Sequence, residues 1–178
     1  PKAGPKAYLR RTHYVLPESL IAEWADYIET HSPVWALEHD VAELERLMRC
    51  YRWSGSYTRT NIAMDKTRAP SGYLKNKVMS DTHHGGDIFD CVKRQVPQAT
   101  ACCLNYCVQC APHRDRRDSM TAAIFFGDFE GGELCLETGE VFGGRHEWYF
   151  YDGSHVAHWN NPIVGEKFSC IAFEEKSK

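Results

Sequence analysis

From Pro97 onward the chain changes character. The segments "ATACCLNYCVQ", "SMTAAIFF", "GELCLE", "HEWYFYD" and "EKFSCIAFE" are short, apolar and rich in aromatic and small side chains, and clusters of Gly, Asp, Asn and Pro separate them. Segments of this kind read as strands, and the breaks between them as turns. Several short strands at this spacing predict a sandwich or a barrel, because a single sheet would leave one apolar face in water.

Upstream the pattern is helical. "PESLIAEWADYIETH" puts Pro17 at a first helical position and sets Leu20, Ile21, Trp24 and Ile28 on one stripe. A second helical pattern runs from about Pro33 to Tyr51, with Val41, Leu44, Leu47 and Met48 as its apolar face. "SYTRTNIAM" reads as a strand, the Pro-Ser-Gly centre of "DKTRAPSGYLKNK" as a loop, and "GGDIFDCVKRQV" as a third helix. Helices followed by strands predict an α+β fold in which helices buttress one face of a β core. The expected organisation is one domain over 1-178, with a linker or arm at 1-12, mainly helical support at 13-98 and the β core at 99-175.

At 178 residues the chain can bury one substantial core. No apolar run approaches the roughly 20 residues of a membrane helix, so no membrane partner is expected. The first residue is Pro1 and no signal-like stretch follows, so the chain reads as a piece of a longer polypeptide or a processed product, and an intracellular compartment is expected. A net charge of -3 argues against a generally basic protein that coats nucleic acid. Eight cysteines are many, yet a chain this long needs no disulfide staples. Cys107 and Cys110 form a CxxC beside Cys102 and Cys103, without the second pair of a structural zinc site, so packed reduced thiols are expected.

Chemistry-bearing residues concentrate in the β half. In "PHRDRRD", His113 and Asp115 stand two apart, so in an extended backbone they share a face and present a nitrogen and an oxygen to one point. A metal centre that also holds substrate and oxygen needs few protein ligands; two histidines and one carboxylate supply three and leave three positions open. "YDGSHVAHWNNP" offers His155 and His158 for the second histidine. In the final strand Lys167 and Ser169 also share a face. A lysine inside a barrel needs an anion, and a bound dicarboxylate would provide one, with Ser169 adding a hydrogen bond.

Taken in order, these parts resemble the Fe(II)/2-oxoglutarate-dependent dioxygenases. His113-Arg114-Asp115 looks like that superfamily's HxD, "FFGDFEGGELCLE" like the stretch linking two barrel strands in prolyl hydroxylase-type members, and "HWNNPIVGEKFS" like the segment with the distal histidine and the cosubstrate's basic residue. In the superfamily that residue commonly follows the histidine by nine positions, which selects His158 (167 - 158 = 9) over His155. The resemblance covers about residues 99 to 175. It implies a double-stranded β-helix (jelly-roll or cupin-like) barrel, with Fe(II) on His113, Asp115 and His158. It also implies 2-oxoglutarate held by Lys167 and Ser169, O2 as co-reactant, and hydroxylation of an unactivated C-H bond. Lys167 replaces the more common arginine, which keeps the charge but not the bidentate grip. Tyr106, in the strand before the HxD, is a further candidate cosubstrate contact.

For substrate, the interval from HxD to distal histidine (158 - 113 = 45) and the "YDGS" lead-in look like short relatives of the TET and J-binding-protein oxygenases. That resemblance implies a nucleobase methyl group in nucleic acid, and with it a nuclear location; the alternatives are a protein side chain, as in prolyl-type hydroxylases, or a non-catalytic barrel that binds nucleic acid. Arg114, Arg116 and Arg117 flank the metal motif, and Lys66, Arg68, Lys75 and Lys77 share a loop; all could meet phosphates. Trp159, beside a ligand, is the aromatic residue best placed to stack a flipped base, whereas Trp148, Tyr149 and Tyr151 read as core. His83 and His84 in "THHGGD" are expected in an exposed loop without metal.

Overall fold

In a computed structural model, residues 9–15, 35–51, 59–62, 71–72, 74–75, 85–116 and 121–174 are described. Their strands are β1 (Leu9–Val15), β2 (Trp35–Leu37), β3 (Arg59–Ile62), β4 (Ser71–Gly72), β5 (Leu74–Lys75), β6 (Ala101–Tyr106) and β7 (Thr121–Gly131), then β8 (Leu134–Leu136), β9 (Val141–Phe142), β10 (Trp148–Tyr151), β11 (His158–Asn160) and β12 (Ile163–Phe173). The helices are α1 (Glu38–Cys50) and α2 (Gly85–Gln95).

Among the described residues the strands form two sheets. The larger runs β2-β1-β10-β7-β12-β6-β3-β4, with β5 also on β6; the smaller runs β11-β8-β9. The central pair is β7 and β12, antiparallel from Thr121↔Phe173 to Gly131↔Ile163. Both faces of this pair are covered, and that explains its sequence. Ala122, Ile124, Phe126, Phe168, Cys170 and Ala172 pack on one side with Val41, Leu44, Leu47 and Met48 of α1 and Ile88 and Val92 of α2. Ala123, Phe125 and Phe129 face the other way, with Tyr149 and Tyr151, onto Leu134, Leu136 and Phe142 of the smaller sheet. A strand buried on both faces reads as an unbroken apolar run, as "TAAIFF" does.

Mostly antiparallel sheets with two helices on one face give the expected β-rich architecture with helical support. The expected helices of the second and third patterns coincide with α1 and α2, and Val41, Leu44, Leu47 and Met48 are all buried. The helix expected at Pro17 lies outside the described residues. β3 falls in the strand read at "SYTRTNIAM". Two features differ from expectation: Leu9–Val15, partly within the expected arm, forms β1 and pairs in parallel with β10, and the 13-98 interval also contributes the short strands β2, β4 and β5. The start of α1 and the end of α2 are tied by side chains, Arg94 Nε donating to Asp40 Oδ1 at 3.0 Å. All eight cysteines are free thiols, five of them buried. No described helix is long and apolar enough to cross a membrane.

Candidate metal centre

Two loops supply the centre. His113 and Asp115 lie in the segment after β6, and His158 opens β11. His113 N donates to His158 O at 3.1 Å and His158 N to His113 O at 3.0 Å, an isolated antiparallel bridge. Asp115 N donates to Gly153 O at 2.8 Å. These main-chain bonds deliver the side chains to one point. Asp115 Oδ1 lies 3.7 Å from Nε2 of His113 and 3.7 Å from Nε2 of His158. One ligand-capable atom from each residue falls within 4.8 Å of the others, the only such group of three among the described residues.

The hydrogen bonds also fix what each group offers. His113 Nδ1 lies 2.8 Å from Ala111 O, and His158 Nδ1 3.0 Å from Val156 O. A carbonyl can only accept, so each Nδ1 carries a proton and each Nε2, facing Asp115, is the ring atom open to a metal. This is the arrangement that holds metal-ligating histidines in one tautomer and one ring orientation. Thr121 Oγ1 donates to Asp115 Oδ2 at 3.3 Å, which leaves Oδ1 to the centre. Gly153 is required by space: a Cβ there would stand 2.5 Å from Asp115 Oδ2 and 2.8 Å from Thr121 Oγ1. Two imidazole nitrogens and one carboxylate oxygen, with their other atoms already bonded, suit a first-row divalent ion such as Fe(II) and leave coordination positions for small molecules.

His155, the other histidine of the segment, faces elsewhere. Its Nδ1 pairs with Asp152 Oδ2 at 2.9 Å, while Asp152 Oδ1 accepts from Ser154 N at 3.1 Å and His155 N at 3.2 Å. This buried aspartate caps the turn that leads into His158.

The centre lines a cavity of about 590 Å³, counted with its open mouth, between the two sheets. Phe125, Leu134 and Ile171 give it apolar walls, and Asn105 and Ser169 give it polar ones. Asn105 and Ser169 stand directly opposite each other on β6 and β12. Asn105 is only 8% exposed, and among the described residues its side chain takes a weak thiol contact from Cys103 Sγ to Oδ1 at 3.5 Å. Neither its Nδ2 nor the Ser169 hydroxyl has a hydrogen-bond partner among the described residues. Lys167 shares this face of β12 and is 3% exposed. Its ammonium donates to Gly132 O and sits 4.2 Å from the ring centroid of Phe125, a residue of the cavity wall. Burial pushes it down to about 8, partly offset by the Glu133 carboxylate. No carboxylate is paired with it among the described residues.

The remaining expected residues lie off the cavity. Tyr106 alternates to the helix-facing side of β6; its ring packs on Phe168 with centroids 5.2 Å apart, and its hydroxyl donates to Glu166 Oε2 at 2.7 Å, which pushes the phenol up to about 12. Asn105 occupies the inward position instead. The signal for it was available, since Cys103 and Asn105 alternate with Cys102, Leu104 and Tyr106, but with both faces apolar the parity did not say which one met the cavity. Trp159 is half-buried and alternates away from the lining residues His158 and Asn160. Arg114 is bound to Glu137, its Nη2 lying 2.9 and 3.1 Å from the two carboxylate oxygens. Arg116 is exposed. Arg117, Lys66, Arg68, Lys77, His83 and His84 lie outside the described residues, as does the side chain of Lys75. Cys103 and Cys110 line the cavity, a position that sequence reasoning did not assign to the cysteine cluster.

No protein-family model matches the chain, and no curated protein matches it in sequence. Solved structures do match in shape. A 2OG-Fe(II) oxygenase family oxidoreductase from Burkholderia pseudomallei superposes with a TM-score of 0.53 at 13% identity, over 92% of this chain and 93% of that one. NgTET1 in complex with 5mC DNA overlaps more loosely, with a TM-score of 0.40 at 15% identity over 95% of this chain and 72% of that one. A Pseudomonas putida prolyl-4-hydroxylase gives 0.38 at 16% identity, over 92% and 99%. The Burkholderia match gives the fold: this chain is built like a 2OG-Fe(II) oxygenase.

Proposed function

We propose that the chain is an Fe(II)- and 2-oxoglutarate-dependent dioxygenase that hydroxylates an unactivated C-H bond, with its two facing sheets forming a double-stranded β-helix. The observation that carries this reading is the convergence of His113 Nε2, Asp115 Oδ1 and His158 Nε2 beside a cavity, with a buried lysine packed against Phe125 of its wall.

His113, Asp115 and His158 would hold the metal, their orientation fixed by the carbonyls of Ala111 and Val156 and by Thr121. Asn105 and Ser169 provide two donors suited to a carboxylate or keto oxygen, and Lys167 provides the charge that a dicarboxylate needs in a buried place. Phe125, Leu134 and Ile171 exclude water and strengthen each of these contacts. When bound, Fe(II) with 2-oxoglutarate and O2 supplies oxidation of the cosubstrate to succinate and carbon dioxide coupled to insertion of one oxygen atom into substrate.

For substrate we favour a nucleobase methyl group, on the 45-residue interval and the "YDGS" lead-in, and a nuclear location belongs to that choice. The engagement of Arg114 by Glu137 removes one expected phosphate contact and gives weight to the alternative, a protein side chain. Anaerobic addition of Fe(II) and 2-oxoglutarate should produce the weak visible charge-transfer band of the chelate; its absence from folded protein defeats the oxygenase reading. A mass scan of methylated oligonucleotides and of peptides for gain of one oxygen atom, with and without 2-oxoglutarate, then separates the two substrate classes.

A further inference from the structure

Arg114 stands between two ligands, His113 and Asp115, and alternation sends its side chain out of the centre. There it makes three contacts: Nε donates to His155 O at 3.1 Å, and Nη2 donates to Glu137 Oε1 at 2.9 Å and Oε2 at 3.1 Å. Glu137, just past β8, is itself clasped around the residue before His158. Its N donates to Ala157 O at 2.9 Å, and its Oε1 accepts from Ala157 N at 3.0 Å. One guanidinium-carboxylate pair therefore joins the HxD segment, the turn after β8 and the 153–158 segment that ends at His158.

We propose that Arg114 and Glu137 are positioning residues for the metal centre, a pin that holds the HxD segment against the His158 segment, and are not contacts for substrate phosphate. The inference rests on the metal-site reading above. The pair is on the surface, with side chains 55% and 41% exposed, and surface ion pairs add little to global stability. Its cost when broken therefore falls on local register, where three ligand atoms must meet one ion. Partners that orient ligands in this way typically matter by about 10 to 100-fold in metal affinity. The planar fork is essential, because one group must reach both a carbonyl and a carboxylate, and lysine cannot do both.

The test measures Co(II) affinity by calorimetry, together with the melting temperature, for wild-type protein and for Arg114→Ala, Arg114→Lys, Glu137→Gln and the exchange Arg114→Glu/Glu137→Arg. The pin predicts at least about 10-fold weaker Co(II) binding in Arg114→Ala and Arg114→Lys, with a melting temperature moved by no more than about 2–4 °C. Glu137→Gln, which keeps an acceptor for Ala157 N, should lose less. The exchange should not recover affinity, because the bonds to His155 O and Ala157 N are then misplaced; full recovery would mean that charge alone matters and overturns the pin. Equal Co(II) affinity in wild type and Arg114→Ala also overturns it. Failure of wild-type protein to bind Co(II) at all strikes the metal-site reading instead.

Discussion

His113 and His158, 45 residues apart in sequence (158 - 113), exchange two main-chain hydrogen bonds of 3.1 and 3.0 Å. This backbone pairing brings their imidazoles to a centroid separation of 4.2 Å. Metal binding therefore needs no large rearrangement of the chain, and the consequences of altering the centre can be separated from those of altering the fold.

Asp115→Ala removes the one charged ligand and should weaken Fe(II) or Co(II) binding by at least about 100-fold, more than loss of an outer partner. Asp115→Asn keeps the shape and the contact with Thr121 but not the charge, and should lie between alanine and wild type. Calorimetric titration of the three proteins gives the order; equal affinities would mean that the ion, if bound, sits elsewhere.

Gly153→Ala tests the packing around that carboxylate. The added methyl would overlap Asp115 Oδ2 and Thr121 Oγ1, and since Gly153 O also accepts from Asp115 N, the loop cannot shift freely. Stability should fall by about 1–3 kcal/mol, the usual range for overpacking, and metal affinity should fall with it. Thermal melts with and without Co(II) measure both.

Lys167 gives a pH dependence with a definite sign. Its folded value of about 8 lies below the usual 10.5, so between these limits the unfolded chain holds a proton that the folded chain has released. Stability of the ligand-free protein should therefore rise as pH climbs from 8 toward 10.5, by about 3 kcal/mol at most. Lys167→Met removes the buried charge and should raise the melting temperature at pH 7, with the advantage fading by pH 10.5, while 2-oxoglutarate binding is lost. In wild type the affinity for 2-oxoglutarate should fall above pH 8 as the ammonium deprotonates. A lysine variant that binds the dianion normally would exclude this role.

Asn105→Leu should show the same opposition between stability and function. Removing a buried amide whose donor is unmatched among the described residues should stabilise the empty protein by about 1 kcal/mol, whereas 2-oxoglutarate affinity should drop. Tyr106→Phe, on the opposite face of the same strand, should leave that affinity within about twofold, since the bond it loses to Glu166 is an exposed one. Titration of the two variants side by side distinguishes the faces of β6.

The strand-rich half, the helices at 38–50 and 85–95 and the triad residues were legible because they rest on local rules. Apolar spacing at helical period marks Val41, Leu44, Leu47 and Met48, and a two-residue offset puts His113 and Asp115 on one side of an extended chain. What sequence could not give was the choice between faces of strands buried on both sides. In β6 the parity of Tyr106 and that of Asn105 are equally apolar, and only the packing of α1 and α2 against one face assigns the cavity to the other. Arg114 shows the same limit: a cation beside a metal motif is compatible with a phosphate or with a carboxylate, and the nearness of Glu137, 23 residues later, is a fact of folding alone. Local spacing thus fixed which groups could act together, because it follows from backbone geometry. Which partner each group met was decided by how the two sheets and the helices pack, because burial and pairing depend on neighbours far away in the chain.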